Sequence, residues 1–116
     1  MGKSKRRREQ PKAPTSEYVD AEGNVLVLRG SLSPKTRREY EQTLAGSPLS
    51  REDAWQRAIE LLFERLTVSW TIAGLPIERQ KELLGRYRMA SQDERAWVRD
   101  ALREHLSKTF PELESP

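Results

Sequence analysis

The sequence predicts a mainly α fold: a single small helical domain of about four helices with an N-terminal β-hairpin and a disordered basic N-terminal arm. Three observations predict it. Apolar residues recur at helical spacing in four segments, each opened by a Ser or Pro start signal. Val, Ile, Thr and aromatic residues dense enough for strands cluster only before residue 30 and again at Thr67–Ile72. Hydrophobic residues make up 35% and charged residues 34% of the 116, so the apolar side chains must be concentrated on a few faces around one modest core.

Residues 1 to 16, MGKSKRRREQPKAPTS, hold no large apolar residue after Met1 and cannot repay the entropy of ordering, so they are expected to be the arm. The domain is expected over residues 17 to 110, with a disordered C-terminal end at 111 to 116. Tyr18 and Val19, a turn through Gly23-Asn24, then Val25-Leu26-Val27-Leu28 suggest a hairpin near 18 to 29. Its second strand is apolar on both faces, so helix must cover one side. Ser33-Pro34 pairs an N-cap with a residue suited to the first helical position, and Gly46 supplies a stop, giving a helix over 34 to 45. Its inward stripe is only Tyr40 and Leu44, flanked by Thr36 and Arg37.

Ser50-Arg51-Glu52-Asp53 resembles a capping box and opens the most apolar stretch, where Trp55, Ala58, Ile59, Leu62, Phe63 and Leu66 share one stripe. This predicts a central helix over 51 to 66. Thr67–Ile72 alternates with period two and reads as a short strand or extended segment closed by Gly74 and Pro76. Pro76 then starts a helix over 77 to 89, with Ile77, Leu83, Leu84 and Tyr87 on one face. Ser91-Gln92-Asp93-Glu94 is a full capping box for a last helix over 92 to 107, whose inner face is Ala96, Trp97, Val98, Ala101, Leu102, His105 and Leu106.

The absence of cysteine excludes disulfides, thiolate nucleophiles and zinc-thiolate sites and fits a reducing compartment, so the cytoplasm is the expected location. No apolar run reaches the roughly 18 residues of a membrane span, and the basic start is followed by Pro11 and Pro14, not by a secretory apolar core. No membrane partner is expected. The net charge of +3 is unevenly spread: residues 1 to 16 hold six of the 21 basic and one of the 18 acidic residues, leaving the body about −2. Lys3, Lys5, Arg6, Arg7, Arg8 and Lys12 could contact a polyanion, weakly and without reading sequence, because no aromatic residue is interleaved with them.

No catalytic set assembles, and neither a cofactor nor a metal is expected. His105, the single histidine, sits in an apolar helix face without a neighbouring nucleophile, orienting carboxylate or second ligand, so it reads as a packed or interface residue before a pH-sensitive or catalytic one. The carboxylate pairs Glu60 and Glu64, Glu78 and Glu82, Asp100 and Glu104 lie at i, i+4 among arginines, where solvated ion pairing is ordinary. Gly23, Gly30, Gly46, Gly74 and Gly85 form no phosphate-binding motif, and Ser33, Ser50 and Ser91 are explained as caps. A helix-turn-helix over 77 to 106 would present Asp93, Glu94, Asp100 and Glu104 to DNA, which argues against groove reading.

Trp55, Trp70 and Trp97 exceed what so small a core needs, and surplus aromatics mark contact surfaces. Trp70, in the least regular segment, is expected to be partly buried, with one ring edge exposed beside Leu75 and Pro76. Trp70, Ile72, Leu75 and Pro76 are thus the expected partner-binding residues. The run VDAEGNVLVLRGSLSP, the Trp- and Leu-rich helix, LTVSWTIAGLPIERQKELL and the capped last helix together resemble the tail assembly chaperones of tailed phages and prophages, over roughly residues 17 to 110. Ala73-Gly74-Leu75-Pro76 departs from that pattern, where an acidic turn is more usual. The resemblance implies a chain that coats an elongated tail protein and keeps it soluble through Trp70, Ile72 and Leu75. The expected function is therefore a non-catalytic interaction or assembly protein that binds an apolar segment of a protein partner. The alternative is a nucleic-acid-associated accessory protein using the basic arm.

Overall fold

The structure is a computed structural model, and it describes residues 14 to 46 and 51 to 113. The element order is β1 (Thr15–Val19), β2 (Val25–Arg29), α1 (Pro34–Ala45), α2 (Arg51–Leu66), β3 (Thr67–Ile72), β4 (Leu75–Ile77), α3 (Gln80–Arg88) and α4 (Gln92–Thr109). The four strands form one antiparallel sheet in the order β1-β2-β3-β4. The fold is therefore mixed: the four helices, the first hairpin and the extended segment at Thr67–Ile72 are present as expected, but their union in one four-stranded sheet with β4 was not expected.

The first hairpin closes through Asp20, whose carboxylate accepts from the backbone N–H groups of Glu22 at 2.8 Å and Asn24 at 2.9 Å. Burial disfavours its charge, yet the hydrogen bonds from Asn24 and Glu22 outweigh that and hold its carboxyl below the usual range. Asn24 Oδ1 in turn accepts from Ala73 N at 3.0 Å, tying this turn to the second hairpin. That second hairpin corrects the expected helix start. Ile72 pairs with Leu75 across Ala73 and Gly74, which both have positive φ, 52° and 80°, as a two-residue turn between twisted strands demands. Pro76, read as a helix opener, sits in β4 opposite Thr71. An edge strand tolerates its missing N–H, and α3 starts only at Gln80.

Tyr18, Leu26, Trp70 and Ile77 lie in one row across the sheet, and this face packs on the helices. A register shift between Val27 and Leu28, which pair with Ser69 and Thr67, bulges β3 at Val68. The core joins these residues to Tyr40 of α1, Ala58, Ile59, Leu62, Phe63 and Leu66 of α2, Leu83 and Tyr87 of α3, and Val98, Leu102 and Leu106 of α4. Phe63 meets Trp70 edge-on at 5.8 Å and stacks on Tyr87 at 4.9 Å. Arg65 fastens α2 to α1, donating to Thr36 Oγ1 at 3.1 Å and pairing with Glu39 at 3.4 Å.

Two helix starts match their sequence signals. Ser33 Oγ accepts from Thr36 N at 3.1 Å, with Pro34 in the first turn. Ser91 Oγ accepts from Glu94 N at 3.1 Å while the Glu94 carboxylate accepts from Ser91 N at 3.1 Å, a complete capping box. Ser50 lies outside the described residues. Ser91→Ala is expected to lower stability by about 1 kcal/mol, read from the urea midpoint.

Both expected ends of the domain shift. Thr15 and Ser16 belong to β1, and Pro14 O accepts from Gly30 N so closely that a Cβ at position 30 would stand 2.6 Å from that oxygen. At the other end Phe110 and Leu113 join the core and Arg37 binds Glu112, so residues to 113 pack where a disordered end was expected at 111.

Candidate functional site

Trp70 is only 2% exposed, which overturns the expected exposed ring edge. Its place in the strand row puts Leu26 and Ile77 beside it, Phe63 against its edge and the Arg86 guanidinium 5.3 Å from its ring centre. Ile72 is half-buried against the core. Leu75 is 72% exposed and Pro76 is exposed, so of the four expected contact residues these two remain on the surface, at the tip and edge of the β3–β4 hairpin. Lys3, Lys5, Arg6, Arg7, Arg8 and Lys12 lie outside the described residues.

The surplus aromatic at the surface is Trp55, 41% exposed. It falls on the stripe of Ile59, Leu62 and Leu66, but near the N-terminal end of α2. There the α4 residues lining the same groove are Arg99 and Arg103, not apolar side chains. The result is a groove of about 440 Å³ lined by Arg51, Glu52, Trp55, Gln56, Ile59, Arg99 and Arg103. A second, more polar hollow continues along α2 to Arg88 and Arg95 and shares Glu52, Gln56, Ile59 and Arg99 with the first. Arg99 Nε is enclosed and has no hydrogen-bond partner among the described residues. An aromatic flanked by arginines around an apolar floor is the composition of binding hot spots. Sequence reading missed this site, although Arg99 and Arg103 at i, i+4 beside Val98 and Leu102 were a signal for it.

His105 is fully buried and bridges α4 to the sheet. Its Nε2 lies 2.6 Å from the Arg29 carbonyl, which can only accept, so Nε2 carries the proton and donates. Nδ1 therefore accepts from the Tyr18 hydroxyl at 2.8 Å. Burial pushes the imidazole below its ordinary value; the Arg29 bond opposes this, and the Lys108 charge reinforces it. Burial also raises the Tyr18 hydroxyl. This is a packed, hydrogen-bonded histidine.

Of the six carboxylates expected to pair among arginines, four are ion-paired, two of them with arginines of their own helix: Glu64 with Arg65 at 3.4 Å and Asp100 with Arg103 at 3.7 Å, while Glu60 reaches Arg88 of α3 at 2.8 Å and Glu104 takes Lys108 at 2.9 Å. Among the described residues no group of three or more His, Asp or Glu could hold a metal ion, and no helix is long and apolar enough to cross a membrane. Compared with protein families, with curated proteins and with solved structures, the chain matches none.

Proposed function

We propose that this chain is a non-catalytic interaction protein whose principal contact surface is the groove between α2 and α4 at Trp55. The observation that carries the reading is the exposure of that indole above a groove edged by Arg51, Arg99 and Arg103. Large aromatics and arginines supply most of the binding energy at protein interfaces, and an exposed tryptophan on a rigid helix loses little entropy when covered. The mixed charges of the adjoining hollow, with Glu60 and Asp93 among its arginines, favour a protein partner over a nucleic-acid strand.

The narrower form, a tail assembly chaperone, rests on the layout of residues 17 to 110. With Trp70 in the core, its contact falls to Ile72, Leu75 and Pro76, and the exposure of Leu75 at a hairpin tip is the observation that favours it. One experiment separates the two surfaces. The intact chain is immobilised and its captured proteins are compared with those held by Trp55→Ala and by Leu75→Ser. Trp55→Ala is expected to weaken retention by about 2 kcal/mol or more while leaving the unfolding midpoint nearly unchanged. Retention lost with Leu75→Ser alone moves the contact to the hairpin, and retention unchanged in both variants overturns the reading.

A further inference from the structure

We propose that β1 is a strap released by acid: protonation of His105 lifts Tyr18, and the strand that carries it, away from α4 while β2 keeps its place.

The bridge that His105 makes from α4 to the sheet has two arms of different chemistry. A protonated imidazole donates from both nitrogens. The Nε2 arm to the Arg29 carbonyl therefore survives protonation and is strengthened by the charge. The Nδ1 arm does not, because its part is to accept from the Tyr18 hydroxyl. Turning that hydroxyl toward Ser16, its neighbour on β1, would still leave the new charge dry. A proton on His105 thus loosens its hold on β1 and spares its hold on β2.

The groups that cover His105 differ in what it costs to move them. Phe110 meets the imidazole edge-on at 5.9 Å and is buried, and the Arg29 carbonyl follows Leu28, which is fully buried. Tyr18 meets it edge-on at 5.7 Å, but from an edge strand whose residues alternate between exposed and half-buried. Segments with few buried apolar contacts are the ones that open at low cost. Between β1 and α4 lies a hollow of about 330 Å³ lined by Tyr18, Val19, Trp97, Ala101 and Glu104. The strand is therefore not packed flush on the helix, and water in this hollow reaches the imidazole once Tyr18 moves.

The surrounding charges favour the open form. On α4, the Lys108 ammonium stands 5.8 Å from the Tyr18 ring centre and pairs with Glu104 at 2.9 Å. Arg37 of α1 lies over the Phe110 ring and is tied to Glu112, and the Arg29 guanidinium of β2 turns to the carbonyls of Arg65 and Thr67. Glu17 and Asp100 line the hollow, which His105 does not reach while Tyr18 is in place. The hinge is the Asp20 turn. Its carboxyl is held below the usual range, so it stays ionised, and the turn stays closed, where histidine titrates.

The test follows hydrogen exchange of the full chain from about pH 7.5 to about pH 4.5, with labelling times scaled to the intrinsic amide rate. NMR follows the imidazole alongside, without ambiguity because His105 is the single histidine. Protection of residues 15 to 19 is expected to fall by at least about tenfold relative to that of α2, in step with the imidazole titration. His105→Gln keeps a donor and an acceptor but cannot titrate, so its β1 should be equally protected across the series. Should circular dichroism show that variant unfolded, Tyr18→Phe replaces it: the ring stays, the hydroxyl bond goes, and β1 should be less protected already near neutral pH. The proposal is overturned by β1 and α2 losing protection together, or by β1 staying closed throughout, whether or not the imidazole has taken its proton. An acid response that survives His105→Gln, or unchanged protection in Tyr18→Phe, overturns it equally.

Discussion

Trp70→Ala is expected to destabilise the domain by about 3 to 5 kcal/mol, the range for removing a large buried aromatic. The ring is enclosed on the sheet by Leu26 and Ile77, from α2 by Phe63 and from α3 by Arg86, so its loss opens a cavity whose walls belong to four different elements. Such a site collapses poorly, because no single neighbour can move in without leaving its own partners. Domains of this size have about 5 to 15 kcal/mol in total, so the variant stands near the limit of folding. Urea unfolding should show a large drop in midpoint. Trp70→Phe, which keeps the aromatic contact with Phe63, should recover much of it. Trp55→Ala is the control, with a shift below about 1 kcal/mol, since its indole contacts solvent. Equal midpoints for Trp70→Ala and the unaltered chain would show that the ring is not held in the core.

The exchange of roles between Trp55 and Trp70 marks how much of the fold was legible. Helical periodicity correctly grouped Trp55 with Ile59, Leu62 and Leu66, but period states which face a residue takes, not where along the axis the facing element stops being apolar. That depends on Arg99 and Arg103, which only the packing of α4 brings opposite. For Trp70, the alternation in Thr67–Ile72 was visible, as was the need to cover one face of Val25-Leu26-Val27-Leu28. Missing was the β2–β3 pairing, a long-range register that puts Trp70 beside Leu26 on the covered face. The β4 strand was hidden for a local reason: Ala73-Gly74 lacks the Asn-Gly or Asp-Gly signature of a two-residue turn, and Pro76 at an edge carries the same letter as Pro at a helix start. The start of α4 was fully legible because Ser91 and Glu94 form their cap within one turn, without help from the rest of the chain.

The second large effect falls on His105, and it carries a pH dependence. His105→Leu keeps an apolar body in place but strands the Tyr18 hydroxyl and the Arg29 carbonyl, and is expected to cost about 2 to 4 kcal/mol near neutral pH. In the unaltered protein both ring nitrogens are committed: Nε2 donates to a carbonyl, and Nδ1 must stay bare to accept from Tyr18. Protonation at Nδ1 sets two donors against each other unless the Tyr18 hydroxyl turns. It also adds a cation near Lys108, whose ammonium lies 5.8 Å from the Tyr18 ring centre and pairs with Glu104. The folded imidazole is accordingly held below its ordinary value, first by burial. The unfolded chain then takes up the proton first, so the stability due to neutral His105 is fully present above about pH 6.5. As the pH falls below that value, stability declines by up to about 1.4 kcal/mol per pH unit until the folded imidazole itself titrates. Glu94 is held low by its bond from the Ser91 backbone and by Arg86, and Glu112 is held low as well, so their contributions fade only below about pH 4.3. The interval between about pH 6.5 and 4.5 thus belongs to His105. Urea midpoints across it should fall with acidity in the unaltered chain and stay flat in His105→Leu. A flat profile in both would mean that the buried imidazole accepts its second proton as readily as the unfolded chain does.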